Sequence, residues 1–192
     1  ESAHRSLDQL GETPLWCDKE RVLWWLDIEK PTLHRLDPAT GQHDARAFET
    51  PFLGSLALAG HDEKLIATDL TLNRLAADGT LDPMLAVDAG LDNRLNDGRV
   101  DPSGRFWVGT MGLGGERDMG ALYRLSGRDI TTLRRPMSIP NACCFTGDGR
   151  TGYTGDSLTG IIHRWPIDPA TGLPAGAPEV FVDLSGTGAA PD

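Results

Sequence analysis

One plan of residues occurs four times along the chain, and it constrains the fold more than any other feature. A short aromatic or β-branched run ends at a small or acidic residue, breaks briefly, and is followed by a second strand-like run. The four copies begin with Arg21-Val22-Leu23-Trp24-Trp25-Leu26-Asp27, Lys64-Leu65-Ile66-Ala67-Thr68-Asp69, Gly104-Arg105-Phe106-Trp107-Val108-Gly109-Thr110 and Gly152-Tyr153-Thr154-Gly155-Asp156. With Asp27, Asp69, Thr110 and Asp156 as equivalents, the intervals are 42, 41 and 46 residues. Turns rich in Asp, Gly and Pro punctuate the copies, among them Asp62-Glu63 and Asp101-Pro102-Ser103-Gly104. Short runs bounded in this way predict an all-β chain without helices. A period of about 40–45 residues with four strands per unit is that of a β-propeller blade. A β-sandwich is the alternative, and the regular spacing favours the propeller. Asn-Asp-Gly within residues 94–100 reads as a turn.

At this period, 192 residues make four to five blades of a single domain, 1–192. Glu179-Val180-Phe181-Val182-Asp183-Leu184 reads as an outer strand, and the sequence ends in the loop after it. The expectation is an incomplete copy of a larger ring, truncated at its C-terminus. An unclosed ring exposes sheet ends and blade faces.

The 18 Lys and Arg against 28 Asp and Glu give a net charge of −10. That balance lacks the basic footprint that nucleic acid or an anionic membrane requires. No apolar run approaches a bilayer span, and Glu1-Ser2-Ala3-His4-Arg5 carries no signal-peptide core. Cys17, Cys143 and Cys144 form no disulfide framework and no Cys-x-x-Cys pair, so a reducing compartment, the cytoplasm, is expected. Nucleophile elbow, phosphate loop and His-Glu-x-x-His are absent. His34 and His163 hold equivalent places in two repeats and read as structural. Asp27, Asp69 and Asp156 read as turn or packing acids, and Trp24, Trp25, Trp107 and Trp165 as core.

Four polar stretches beside inner strands remain. Gly11-Glu12-Thr13-Pro14-Leu15-Trp16 holds a carboxylate in Pro-restricted backbone. In Asn93-Arg94-Leu95-Asn96-Asp97-Gly98-Arg99-Val100-Asp101, Arg94 and Asn96 alternate and share one side if the segment is extended. Ile139-Pro140-Asn141-Ala142-Cys143-Cys144-Phe145 carries an amide at the head of an apolar strand. Pro191-Asp192 closes the sequence. Read singly, each has a plainer meaning: Glu12 a solvated acid, Arg94 an ion-pair residue, Asn96 a turn, Asn141 a loop cap, and Glu116-Arg117-Asp118 a charged surface loop.

At these stretches, with Gly109-Thr110-Met111 and Gly120-Ala121-Leu122-Tyr123, the sequence resembles the regucalcin/gluconolactonase family, also called the senescence marker protein family. The resemblance implies a six-bladed propeller with one divalent cation in its central channel. Its metal ligands fall on Glu12, Asn141 and Asp192, and Asp192 is also the candidate general base. Substrate contacts fall on Arg94, Asn96 and Glu116. The implied activity is hydrolysis of a small-molecule sugar-acid lactone. An all-oxygen donor set suits Ca²⁺, Mg²⁺ or Mn²⁺ better than Zn²⁺. Many members have Gly where this chain has Ala142. Two other functions fit the same residues: a calcium-binding protein without turnover, and a propeller used as an interaction scaffold. The sequence leaves the oligomeric state open.

The isolated chain is expected to be marginal. Analytical ultracentrifugation should show self-association and thermal melting should be broad; a stable monomer with a sharp melt contradicts this.

Overall fold

The computed structural model describes residues 4–59 and 63–192, and no helix occurs among them. Glu1-Ser2-Ala3, His61 and the Asp62 half of one predicted turn lie outside the described residues. No helix among the described residues is long and apolar enough to cross a membrane.

The strands fall into four antiparallel sheets, each wound outward in chain order. The first holds β1 (Gly11–Cys17), β2 (Val22–Asp27), β3 (Thr32–Leu36) and β4 (His43–Ala47). The second holds β5 (Leu53–Ala59), β6 (Glu63–Thr68), β7 (Thr71–Leu75) and β8 (Leu81–Ala86). The third holds β9 (Asn93–Val100), β10 (Phe106–Gly112), β11 (Gly120–Ser126) and β12 (Asp129–Met137). In the fourth, β13 (Pro140–Phe145), β14 (Thr151–Asp156) and β15 (Ile161–Asp168) are followed by the two-residue β16 (Leu173–Pro174) and by β17 (Glu179–Asp183), which pairs with β15 as the outer strand. The inner strands β1, β5, β9 and β13 contact one another in succession. This is the blade arrangement of a β-propeller, with four blades present.

Each seam between blades is a separate apolar cluster. Leu26 and Leu33 meet Leu53, Leu56 and Ile66 between blades one and two. Ala57, Ala67 and Leu72 meet Leu95, Phe106, Val108 and Tyr123 between two and three. Trp107 and Leu122 meet Trp165 and Ile167 between three and four. Strand alternation explains β10: Phe106 and Val108 point to the preceding blade and Trp107 to the following one, so the whole strand is buried. Trp107 stacks edge-on against Trp165, with centroids 6.1 Å apart. Each fully buried large apolar side chain contributes about 1.5–3 kcal/mol.

The repeated acids hold the blades together locally. Asp27 accepts the backbone N–H groups of Gln9, Leu10 and Lys30 at 2.8, 3.2 and 3.1 Å. Asp156 repeats this with Ser138, Ile139 and Leu158 at 2.8, 3.2 and 3.2 Å. Both carboxylates tie the end of a second strand to the segment that enters the inner strand. Asp69, at the same register position, acts through its backbone instead: its carbonyl accepts Leu95 N–H at 2.6 Å. The equivalence drawn for Thr110 is one residue short. Thr110 pairs with Leu95, and Met111 takes the place of Asp27. In that blade the carboxylate comes from the entering loop, where Asp88 accepts the Thr110 hydroxyl at 2.7 Å and also bonds Tyr123 and Arg135. His34 and His163 are true equivalents, opposite Trp25 and Thr154. His34 stacks on Trp25 with ring centroids 4.8 Å apart.

Burial pulls the Asp27 pKa up, but the N–H donors overcome this and hold it below its ordinary 3.8. A depressed carboxylate stabilises the fold above its unfolded pKa, and that stability is lost as pH falls through the folded value. Asp27→Ala should cost about 1.5–3 kcal/mol at neutral pH. In urea melts run from pH 7 to pH 3 the difference from the unaltered chain should shrink as the acid range is entered.

Candidate functional site

The inner strands position the site, and each carries one extra residue. Register shifts occur after Glu12 in β1, Leu53 in β5, Leu95 in β9 and Asn141 in β13. A bulge of this kind bends a strand and re-aims the side chains beside it. Glu12, Leu95 and Asn141 are therefore equivalent positions, paired with Leu26, Thr110 and Gly155. In the first and fourth blades the next residue, Thr13 or Ala142, lies in the left-handed region, with φ of 52° and 54°.

Glu12, Asn141 and Asp192 come together although the chain separates them widely. They line one cavity of about 430 Å³, with Asp97, Arg99 and Cys143. Asn141 Nδ2 donates to Asp192 Oδ1 at 2.7 Å and to Ser157 Oγ at 3.2 Å. Both bonds use the amide nitrogen, so the amide oxygen is the atom left to meet a ligand. Burial raises the Glu12 pKa, and the like charges of Asp192 and Asp97 raise it further. Thr13 N–H and Arg94 pull the other way, and the net direction is upward. The donor set is rich in anionic oxygen, and its charges oppose one another; both properties fit a hard cation. Among the described residues, no group of three or more His, Cys, Asp and Glu side chains is gathered closely enough to hold a metal by itself. Glu12 and Asp192 place two carboxylates in the cavity, beside the Asn141 amide.

Arg94 and Asn96 do share one side of β9. Arg94 Nη1 donates to Asn96 Oδ1 at 2.8 Å and to Leu95 O at 3.1 Å. The Arg94 guanidinium lies over the Phe52 ring at 5.5 Å. Asn96 Nδ2 donates to Pro140 O at 3.0 Å, which links the third inner strand to the fourth. Burial lowers the Arg94 pKa, opposed by Glu29 and Glu12; an arginine stays charged nonetheless. None of Arg94, Asn96 and Glu116 is among the residues lining the cavity. Glu116 is exposed on the loop after β10 and accepts Gly114 N–H at 3.1 Å.

The turn reading of Asp97 and Gly98 is corrected. Both lie inside β9, with Gly98 opposite Val108. A Cβ at Gly98 would meet the Phe106 ring at 2.6 Å, so glycine serves close packing there. Asp97 is the site residue that sequence reasoning missed. It lines the cavity and accepts Cys143 N–H at 3.1 Å, and burial first of all raises its pKa. The sequence held no signal for it, because the bulge after Leu95 shows only in the strand register. Burial pushes the Cys143 thiol well above its ordinary value and raises that of Cys144, so neither is an activated nucleophile.

Residues 10–192 match the sequence profile of the SMP-30/Gluconolactonase/LRE-like region. The pentonolactonase XacC of Haloferax volcanii is 33% identical over 185 residues, covering 96% of this chain and 62% of that protein. The 6-deoxy-6-sulfogluconolactonase of Pseudomonas putida is 33% identical over 162 residues, covering 83% of this chain and 55% of its own length. A crystal structure of regucalcin, a calcium-binding protein from Agrobacterium tumefaciens, superposes with a TM-score of 0.92 at 36% identity, covering 97% of this chain and 63% of that one. The chain thus spans less than two thirds of the length of each of these proteins. It belongs to the SMP-30/gluconolactonase/LRE-like family.

The left-handed backbone at Ala142 disfavours a side chain. Ala142→Gly should raise stability by about 0.5–1 kcal/mol in chemical denaturation; an unchanged or lowered midpoint contradicts the backbone assignment.

Proposed function

We propose that this family member opens a sugar-acid lactone at the cavity where Glu12, Asn141 and Asp192 meet, with a divalent cation held by those three residues. The observation that carries the reading is their convergence from the first blade, the fourth blade and the chain end into one cavity. Names of relatives support the chemistry: a pentonolactonase and a sulfogluconolactonase are among them. The calcium-binding regucalcin supports Ca²⁺ as the cation, with Mg²⁺, Mn²⁺ and Zn²⁺ as the alternatives. When bound, the cation supplies polarisation of the lactone carbonyl and activation of water.

The chain's own side chains supply the rest. Asp192 takes the proton of the attacking water. Glu12 and Asp97 keep the cavity strongly anionic until the cation balances them. Arg94 is buried and braced by Asn96 and Leu95 O, so its guanidinium is pre-oriented for a sugar hydroxyl or for the negative charge of the reacting oxygen. Asn96 has its oxygen on Arg94 and one N–H on Pro140, and acts chiefly by holding Arg94. The resemblance assigns Glu116 to sugar hydroxyls, although its loop lies outside the cavity lining. The four blades are proposed as an arc of a six-bladed ring. The free thiols of Cys17, Cys143 and Cys144 favour the cytoplasm.

A second reading, a calcium-binding protein without turnover, rests on the 36% identity to regucalcin. Proton release from gluconolactone and pentonolactones separates the two. For a lactonase, chelator should abolish turnover and Glu12→Gln should lower it by roughly a hundredfold or more. Tight Ca²⁺ binding with no turnover of any lactone favours the second reading, and turnover indifferent to chelator and to Glu12→Gln overturns the first.

A further inference from the structure

We infer that Gly109 and Gly155 are positioning residues, each the seat of a proline that fixes the cavity residue after it. This rests on the reading of Asn141 and Asp192 as cation ligands. The two ligands follow prolines, Pro140 and Pro191, and each proline lies on a glycine in the second strand of the blade before it. A Cβ built at Gly109 would stand 2.5 Å from Pro140 Cβ and 3.1 Å from its Cγ. A Cβ built at Gly155 would stand 2.5 Å from Pro191 Cβ, 3.1 Å from its Cγ and 3.3 Å from Ala142 Cβ. The two contacts agree to a tenth of an ångström, although one proline heads a strand and the other precedes the last residue.

Each proline carbonyl is also gripped from the preceding blade. Pro140 O accepts Asn96 Nδ2 at 3.0 Å, and Pro191 O accepts Ser157 Oγ at 2.6 Å. The ring pressed on the glycine sets how closely the segment approaches, and the carbonyl bond sets its rotation. With φ fixed by the pyrrolidine, little freedom remains before the ligand side chain. Neither glycine has a positive φ, so backbone conformation gives no reason for glycine at either place. The missing Cβ is the reason.

The test follows the Asn141 side-chain amide in ¹⁵N spectra of the 192-residue chain, together with Ca²⁺ titration calorimetry and thermal melting. Gly109→Ala should shift the Asn141 amide resonances and weaken Ca²⁺ binding by roughly tenfold or more. Pro140→Gly in the same chain removes the clashing Cβ and should bring both readouts back to those of Pro140→Gly alone. Gly155→Ala, relieved by Pro191→Gly, is the parallel pair where the moving segment is the chain end, so it decides the matter even if Gly109→Ala fails to fold. Gly152→Ala is the control: its Cβ would meet Ile167 Cδ1 at 2.7 Å in the same sheet, away from either proline. It should lower the melting temperature without moving the Asn141 resonances or the Ca²⁺ affinity. Unmoved Asn141 resonances in Gly109→Ala and Gly155→Ala, a loss that the proline substitutions do not relieve, or an equal loss in Gly152→Ala overturns the proposal. Absence of Ca²⁺ binding by the unaltered chain overturns the ligand reading instead, and the amide shifts then decide the seats alone.

Discussion

One extra residue in each inner strand is the constraint on which the site depends. A regular strand sends alternate side chains to its two faces, and in the second and third blades both faces are packed against neighbours. A side chain at the inner edge has no free direction unless the alternation is broken. The single bulge breaks it after Glu12, after Leu95 and after Asn141. Polar groups such as Glu12 and Asn141 can then face the cavity. Thr13 and Ala142 bear the backbone cost of that break.

The bulges work only if the strands that carry them are anchored at the entering end. Asp27 and Asp156 do this with three backbone N–H bonds each. The third blade lacks the acid at that position and uses Asp88 from the loop, reaching Thr110 from the other side. The same geometric need is met by a carboxylate in all three blades, with the acid moved from strand to loop. Between blades, the apolar seams give adhesion without direction. The polar crossings from Asn96 to Pro140 and from Ser157 to Pro191 give the relative placement.

Much of this was legible in the residues. The repeat interval and the Asp-, Gly- and Pro-rich turns gave the blades, because a strand–turn–strand plan is written locally. Asp27 and Asp156 stood out as repeat acids, and their bonds reach backbone groups that every copy presents. Arg94 and Asn96 do meet on one side, although the bulge falls between them, because Arg94 Nη1 donates to Asn96 Oδ1. Asp97-Gly98 misled: the pair has turn chemistry, yet neighbours on both sides of β9 enforce extension and Phe106 fills the space beside Gly98. The Thr110 equivalence slipped by one residue because a bulge adds a residue to only one partner strand, which sequence spacing cannot show.

The sequence by itself determined the blade plan and the residue types present for chemistry, since alternation and turn propensity act over a few neighbours. Only the tertiary structure decided that Asp97 joins Glu12, Asn141 and Asp192 in one cavity while Glu116 lies on an exposed loop outside it. Those distances depend on how each blade leans on the next. That lean is set by contacts between residues far apart in the chain, such as Pro140 on Gly109, and no local pattern encodes them.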